Sequence, residues 1–164
     1  VAMMVVAFGF KISAVPFHFA APDAYAGASA PVAGVLATAS KGMGFVALMR
    51  VLIGVTLVDD GSEWMLLIGI VAAITMTWGN IAALGSRNPK RMLAYSSVAN
   101  AGYMLAAITA VGALNWEEGH VDLSNDAALA VVTALIFHLT VLVCFKLGAF
   151  LVLSMLESEK GGHT

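Results

Sequence analysis

The sequence predicts an all-α protein, a polytopic bundle of about five transmembrane helices of which one is broken. Hydrophobic residues make up 60% of the 164 residues and charged residues only 11%, whereas soluble domains carry about 25% charged residues. The mean hydropathy is +0.92. The apolar residues form runs close to the roughly 20 residues that cross a bilayer, separated by glycine-rich or charged segments. This pattern excludes a soluble globular domain and predicts a multi-pass integral membrane protein.

The first span, predicted over residues 1–26, contains the break. Its sequence from Phe10 onward reads FKISAVPFHFAAPDAYAGASAP. Pro16 has no backbone N–H and its ring clashes with the preceding helical turn, and Pro22 is a second interruption. Lipid cannot satisfy the freed backbone carbonyls, so such a break is tolerated only against protein or a wet cavity. Lys11 precedes the break, an arrangement typical of transport pathways.

Four further spans complete one transmembrane unit over residues 1–164. They are predicted at residues 31–57, 64–84, 92–114 and 127–156. The short basic loop from Arg87 to Arg91 is predicted to be cytoplasmic, because lysine and arginine are retained on that side. The loops containing Asp59 and Glu117 then face outward, the N-terminal end lies outside and the tail after Glu157 is cytoplasmic. Because the chain opens on VAMMVVAFGF, already helical in character, we expect a fragment of a longer protein.

Three lysines are predicted to lie at one depth in the membrane. Lys41 follows Pro31 by ten residues, or about 15 Å of helix, which is near the middle of a hydrocarbon core about 30 Å thick. Lys11 occupies a similar depth on the antiparallel neighbouring span, and Lys146 precedes Glu157 by 11 residues, roughly 16 Å. An uncompensated lysine at the bilayer centre costs about 2.5–3.5 kcal/mol on insertion scales. Three such lysines predict a functional cluster.

The chemistry of buried lysines suits proton transfer. Burial favours the neutral amine and a nearby carboxylate favours the ammonium, so such a group can gain and lose a proton near neutral pH. We therefore predict a relay of Lys11, Lys41 and Lys146 within the membrane plane, with His18 and His138 as candidate bridging groups. The alternative for the lysines is that they extend their ammonium groups to the interface. His18 can instead satisfy carbonyls freed by Pro16 or Pro22, and His138 lies only loosely on the same helix face as Lys146.

Motifs for other chemistry are missing from the sequence. It contains no metal-ligand spacing, P-loop, GxGxxG fingerprint or nucleophile triad, so any redox cofactor is expected elsewhere. The single cysteine, Cys144, cannot form an intrachain disulfide. No basic cluster with interleaved aromatic residues is present, which argues against a nucleic-acid partner.

Three stretches carry a family resemblance: FKISAVPFHFAAPDAYAGASAPV, LATASKGMGFVALMRVL and WGNIAALGSRNPKRMLAYSSVANAGYML. They resemble the antiporter-like, proton-translocating membrane subunits of respiratory complex I, the NADH–quinone oxidoreductase, in particular its N subunits. A fourth stretch, FHLTVLVCFKLGAFLVL with His138 and Lys146, is more similar to the sibling subunits L and M.

The resemblance implies a larger inverted-repeat fold of 14 helices, of which this chain would supply about helices seven to eleven. It places Lys11 and Lys41 on a hydrated axis that carries protons. It also implies that NAD(H), FMN, iron–sulfur clusters and quinone are bound by other subunits, and that the neighbours are M- and K-like subunits. Two rival functions stay open at this point: a cation (Na⁺)/proton antiporter subunit, and a structural membrane scaffold whose lysines only set the packing.

Overall fold

The computed structural model describes residues 2–56, 62–114 and 126–161, and these residues contain helices and no strand. The predicted all-α class is therefore confirmed. The predicted outward loops around Asp59 and Glu117 lie outside the described residues. The helices are α1 (Ala2–Ile12), α2 (Ala20–Gly27), α3 (Ala30–Val35), α4 (Lys41–Thr56), α5 (Ser62–Gly85), α6 (Pro89–Leu114) and α7 (Asp126–Gly161), and a π-helical turn, Leu36–Ser40, joins α3 to α4.

Three of the described helical stretches are long and apolar enough to cross a membrane. They are Ala30–Leu52, Met65–Gly85 and Asp126–Glu159. The first predicted span is divided between α1 and α2, helices of 11 and 8 residues, and neither half is long enough alone. The 26-residue helix α6 carries Ser96, Ser97 and Asn100 in its middle, where they are buried or half-buried among the other helices. A helix shielded from lipid by its neighbours does not need a wholly apolar surface.

Helix α1 ends in a Schellman motif, which turns the chain out of the helix. Ser13 has a positive φ of 61°, in the left-handed region. Its N–H donates to the carbonyl of Phe10 at 3.2 Å, and the N–H of Ala14 donates to the carbonyl of Gly9 at 2.8 Å. These two bonds satisfy carbonyls that have no partner inside the helix. The break therefore begins at Ser13.

This geometry corrects the predicted role of the two prolines. Pro16 lies three residues beyond Ser13, within the non-helical segment 13–19, so it prevents the helix from resuming and does not end it. Pro22 does not take part in the break. It lies in the first turn of α2, where a backbone N–H has no intrahelical acceptor and its loss costs no hydrogen bond.

Helices α5 and α6 form the most closely packed pair. A Cβ atom added at Gly79 would lie 2.5 Å from the backbone nitrogen of Ala99, and one added at Gly102 would lie 2.6 Å from that of Met76. Only glycine lets the two backbones approach this closely, as in other small-residue contacts between membrane helices. The α5–α6 hairpin is consequently a closely packed unit, and α2 and α7 pack against α6.

The start of α6 ties three chain segments together. The side-chain oxygen of Asn88 accepts the N–H of Lys90 at 2.9 Å, and Pro89 occupies the first helical position, which is a typical helix start. The ammonium of Lys90 donates to the carbonyl of Ala28 at 2.9 Å and pairs with Glu157 at 2.7 Å. The turn after α2, the start of α6 and the end of α7 therefore lie at one end of the bundle.

The core consists of two apolar clusters with a polar layer between them. The polar layer contains the buried side chains of Lys41, Ser97 and Lys146. On each of their helices, a residue of one cluster lies on one side of the polar residue along the chain and a residue of the other cluster lies on the other side. The larger cluster contains Ile12, Ala14, Phe45, Leu48, Leu52, Ile68, Ala72, Ala101, Met104, Leu105, Ile108, Leu135 and Leu142. The smaller contains Tyr25, Ala30, Ala33, Ala37, Ala94 and Phe150. The layering supports the prediction that Lys41 and Lys146 lie at similar depth.

Candidate functional site

Lys146 is fully buried on α7, with 0% of its surface exposed. Its ammonium nitrogen donates to the carbonyl of Leu93 at 3.0 Å and to the hydroxyl of Ser96 at 2.8 Å, both on α6. No carboxylate pairs with it among the described residues. A carbonyl and a hydroxyl can bind either the ammonium or the neutral amine, since the hydroxyl also donates. Both protonation states of Lys146 are therefore accommodated.

Lys41 is the second buried amine, 3% exposed, and it begins α4 directly after the π-helical turn. Its nitrogen makes no hydrogen bond to any described residue. It lies 6.0 Å from the centroid of the Tyr25 ring, at the outer limit of a cation–π contact. The π-helical turn directly before Lys41 packs against α7, the helix that carries Lys146. Lys41 is thus a buried amine without a hydrogen bond among the described residues, on a segment that contacts the helix of Lys146.

A cavity of about 260 Å³ lies beside Lys41. Its polar lining comes from both sides of the broken helix and from the π-helical turn, and it consists of Lys11, Ser13, Tyr25, Ser40 and Lys41. The cavity places Lys11 and Lys41 on one continuous space. Its volume is sufficient for several water molecules, each of which takes about 30 Å³ in the liquid.

Lys11 differs from the prediction in one respect, since the described residues leave it exposed and not buried. Its helix α1 lies at the edge of the bundle and packs mainly against α4. The stem of Lys11 rests on Gly44, where an added Cβ would lie 3.1 Å from the Lys11 Cγ. Gly44 is one helical turn from Lys41, on the same face of α4. Because Gly44 has no side chain, the stem of Lys11 on α1 can pack against that face of α4.

The two histidines lie apart from the hydrogen bonds of the lysines. His18 is 5% exposed, and its ring contacts Phe19 and Trp78 with centroid distances of 4.5 and 6.1 Å. His138 is half-buried on α7. One ring nitrogen of each, Nδ1 of His18 and Nε2 of His138, is buried without a hydrogen-bond partner in the part of the chain that the structure describes. Their bridging role stays a prediction.

Sequence reasoning missed two groups that contact the lysines, Ser96 and Tyr25, and a third, Ser97, that lies beside Tyr25. Ser96 binds Lys146, and Tyr25 lies between Lys41 and α6, 4% exposed. The hydroxyl of Ser97 lies next to the phenol of Tyr25 without a hydrogen bond of standard geometry. The available signal was the pair of adjacent serines in the middle of a predicted membrane span. Their partners could not be read from the sequence, because they lie on other helices.

The comparisons with known proteins agree with this architecture. A sequence model of the family described as "NADH:quinone oxidoreductase/Mrp antiporter, TM" matches residues 1–164. The chain belongs to this family. Curated relatives of the family include the NADH-quinone oxidoreductase subunit N of Heliobacterium modesticaldum, 41% identical over 93% of this chain and 29% of the relative. The subunit N of Salinibacter ruber is 41% identical over 95% and 28%. The subunit N of Desulfitobacterium hafniense is 40% identical over 97% and 32%.

This chain therefore spans about three tenths of the length of the curated relatives that it matches. Membership of the NADH:quinone oxidoreductase/Mrp antiporter family and three helices able to cross a bilayer identify an integral membrane protein. The resemblance noted in the sequence is thereby confirmed. The relatives are subunits of an oxidoreductase complex by name, whereas the described part of this chain contains no cluster of three or more potential metal-binding side chains.

Proposed function

We propose that this chain carries part of the proton path of a membrane-arm, proton-translocating subunit of a complex I-type NADH:quinone oxidoreductase. The observation that carries the proposal is the shared cavity of Lys11 and Lys41, with Lys146 buried in the same polar layer as Lys41. A row of amines from the edge of the bundle to its interior is a chemically sensible proton path, because amines can both accept and donate protons.

The relay would operate through the coupled charges of the amines. Two like charges in a poorly polar interior repel each other, so the proton occupancy of the buried Lys41 would depend on that of the buried Lys146. Water in the cavity would link Lys11 to Lys41, and Ser96 supports Lys146 in either protonation state. Each transfer leaves one amine neutral and charges its neighbour. Reduction of quinone elsewhere in the complex would drive the sequence by changing the electrostatic potential at one end.

The wider setting belongs to the same proposal. The chain itself takes no part in electron transfer, and NAD(H), FMN, iron–sulfur clusters and quinone are bound by other subunits, with M- and K-like subunits as neighbours. The membrane is the prokaryotic inner or plasma membrane. The end of the bundle that holds Arg87, Lys90 and Arg91 faces the cytoplasm, together with the end of α7, and the N-terminal end lies outside. The support is the positive charge gathered at this one end.

The proposal is tested with Lys41→Met in the full-length parent protein, assembled in its complex in membrane vesicles. We expect NADH-driven proton pumping to fall by about tenfold or more, with donor oxidation falling alongside, because a methionine cannot carry a proton. Gly42→Ala is the matched control, since no atom lies within 4 Å of an added Cβ at the adjacent position. Unchanged pumping by an assembled Lys41→Met complex would contradict the proposal.

The two rival functions give different results in the same vesicles. The family description also includes antiporters, and for an antiporter the Lys41→Met change should abolish sodium-dependent proton exchange while leaving NADH oxidation intact. For a structural scaffold, methionine at Lys11, Lys41 and Lys146 should preserve pumping per assembled complex and lower the amount of complex that assembles.

A further inference from the structure

Thr75, on α5, makes a hydrogen bond that the relay described above does not include. Its side chain is fully buried, with 0% exposed. Its hydroxyl oxygen accepts the backbone N–H of Val15 at 3.1 Å and donates to the carbonyl of Val71, one turn earlier on α5, at 2.6 Å. The hydroxyl thus serves as acceptor for the non-helical segment and as donor to its own helix.

The Val15 N–H needs such an acceptor because of where it lies. It belongs to segment 13–19, whose backbone does not follow a helix and so cannot satisfy its own donors in the usual way. At membrane depth, lipid cannot supply a missing acceptor. Among the described residues the hydrogen bond to Thr75 is the one that the Val15 N–H makes across helices.

A second contact joins the same face of α5 to the same segment. Trp78, three residues after Thr75, lies against the ring of His18, with 6.1 Å between centroids. Residues three apart lie on one face of a helix, so α5 contacts both ends of the interval from Val15 to His18. Since α5 is itself packed against α6 at Gly79, the non-helical segment is attached to the most closely packed helix pair among the described residues.

The attachment has a direct consequence for the cavity. Ser13, which lines the cavity, lies two residues before Val15, and Lys11 lies in the last turn of the helix that Ser13 ends. A shift of Val15 therefore moves Lys11 relative to Lys41. We propose that the Thr75 hydroxyl is a positioning group that holds the non-helical segment and thereby sets the distance between Lys11 and Lys41. The inference rests on the proposed proton relay for its functional consequence.

The experiment compares Thr75→Val, which removes the hydroxyl at nearly the same volume, with Thr75→Ser, which retains it. The control is Thr77→Val on the same helix, because the Thr77 side chain is exposed and, within the part of the chain that the structure describes, its hydroxyl bonds only the carbonyl of Ala73, at 2.8 Å. In vesicles containing the assembled parent complex, we expect Thr75→Val to lower the protons pumped per NADH oxidised by about fivefold. Thr75→Ser should restore most of the ratio and Thr77→Val should leave it unchanged.

A purely structural role would reduce the amount of assembled complex without changing the ratio of protons to electrons. If Thr75→Val does not assemble, Thr75→Cys and Thr75→Ala extend the series, and the ratio should follow the strength of the acceptor, serine above cysteine above alanine. Equal ratios in an assembled Thr75→Ser and an assembled variant without a hydroxyl would overturn the proposal.

An independent readout reports the position of the segment without relying on pumping. Ser13→Cys is introduced into a parent whose other cysteines, including Cys144, are replaced, and its modification by a charged thiol reagent is timed. We expect Thr75→Val to raise the modification rate several-fold, by about the same factor as it lowers the pumping ratio, and Thr77→Val to leave it unchanged. An unchanged rate in Thr75→Val would overturn the positioning role. If Lys41→Met pumps normally but the labelling changes as expected, the relay is wrong and the attachment by Thr75 stands.

Discussion

The α5–α6 hairpin and the lysine-bearing helices are built in opposite ways. The hairpin consists of two uninterrupted helices with backbones in contact through Gly79 and Gly102. The lysines lie beside a break, a π-helical turn and a cavity. Some buried side-chain atoms have no hydrogen-bond partner among the described residues. Three of them, on His18, Lys41 and His138, lie in the lysine-bearing region and not in the hairpin. The close packing of the hairpin supports the irregular backbone of the lysine-bearing region, because the non-helical segment 13–19 is hydrogen-bonded to the hairpin through Thr75.

The largest effect should come from breaking the hairpin. In Gly102→Ala, the new methyl group would lie 2.6 Å from the nitrogen of Met76 and 2.9 Å from the carbonyl oxygen of Ala72, neither of which can move aside as a side chain can. We expect a loss of about 3 kcal/mol in the free energy of unfolding. The measurement is thermal unfolding of the detergent-purified parent protein. Gly85→Ala is the control, since an added Cβ there meets no atom within 4 Å, and equal stability of the two variants would show that the hairpin is not tightly packed.

The two adjacent serines of α6 should differ in their effect on stability, because Ser96 binds a lysine of the other region and Ser97 does not. Ser96→Ala removes the hydroxyl that Lys146 binds at 2.8 Å, and we expect it to lower the unfolding free energy by about 2 kcal/mol, as for other hydrogen bonds to charged groups. Ser97→Ala removes a buried hydroxyl that makes no hydrogen bond of standard geometry within the described residues, so stability should stay the same or rise. Chemical unfolding of both variants in one detergent decides the comparison. A larger loss in Ser97→Ala would mean that the Lys146 contact does not stabilise the helix pair.

The backbone at the break should respond in the opposite direction from the hairpin. Ser13 has a φ of 61°, a conformation that costs a residue with a Cβ about 1 kcal/mol and costs glycine almost nothing. Ser13→Gly should therefore stabilise the protein by about 1 kcal/mol or slightly less, whereas Ser13→Val should destabilise it. Thermal unfolding of the two variants tests the left-handed conformation directly. Comparable stability of the glycine and valine variants would contradict it.

The smallest effect should come from the ion pairs at the end of the bundle where α6 begins. Arg91 pairs with Asp23 at 2.6 Å, but the side chains are 52% and 74% exposed, so Arg91→Gln should cost well under about 1 kcal/mol. Lys90→Gln should cost more, because the Lys90 side chain is only 14% exposed and also binds the carbonyl of Ala28. Unfolding at low salt and at about 1 M salt distinguishes them, since only the Arg91 pair should be largely screened. If Arg91→Gln lowered the free energy of unfolding equally at both salt concentrations, the Arg91–Asp23 pair would not behave as an exposed ion pair.

Composition and helix geometry alone determined several properties of this protein. The membrane class and the all-α fold follow from the hydrophobic composition and the length of its runs, which are properties of the chain itself. The similar depth predicted for Lys41 and Lys146 needed only the rise per residue and the position of the turns, and it agrees with a polar layer between two apolar clusters. Depth along a helix can be counted from the sequence because each helix has a constant rise.

Tertiary structure alone decided what surrounds each of these groups. The break begins at Ser13 because the chain adopts a left-handed turn there, which the sequence AVP did not reveal. Lys11 is exposed because its helix lies at the edge of the bundle. Ser96 binds Lys146 and Thr75 binds Val15 across helices far apart in the chain. Such contacts depend on the rotation and spacing of neighbouring helices, and these are set by the packing of many side chains together, not by any local pattern in the sequence.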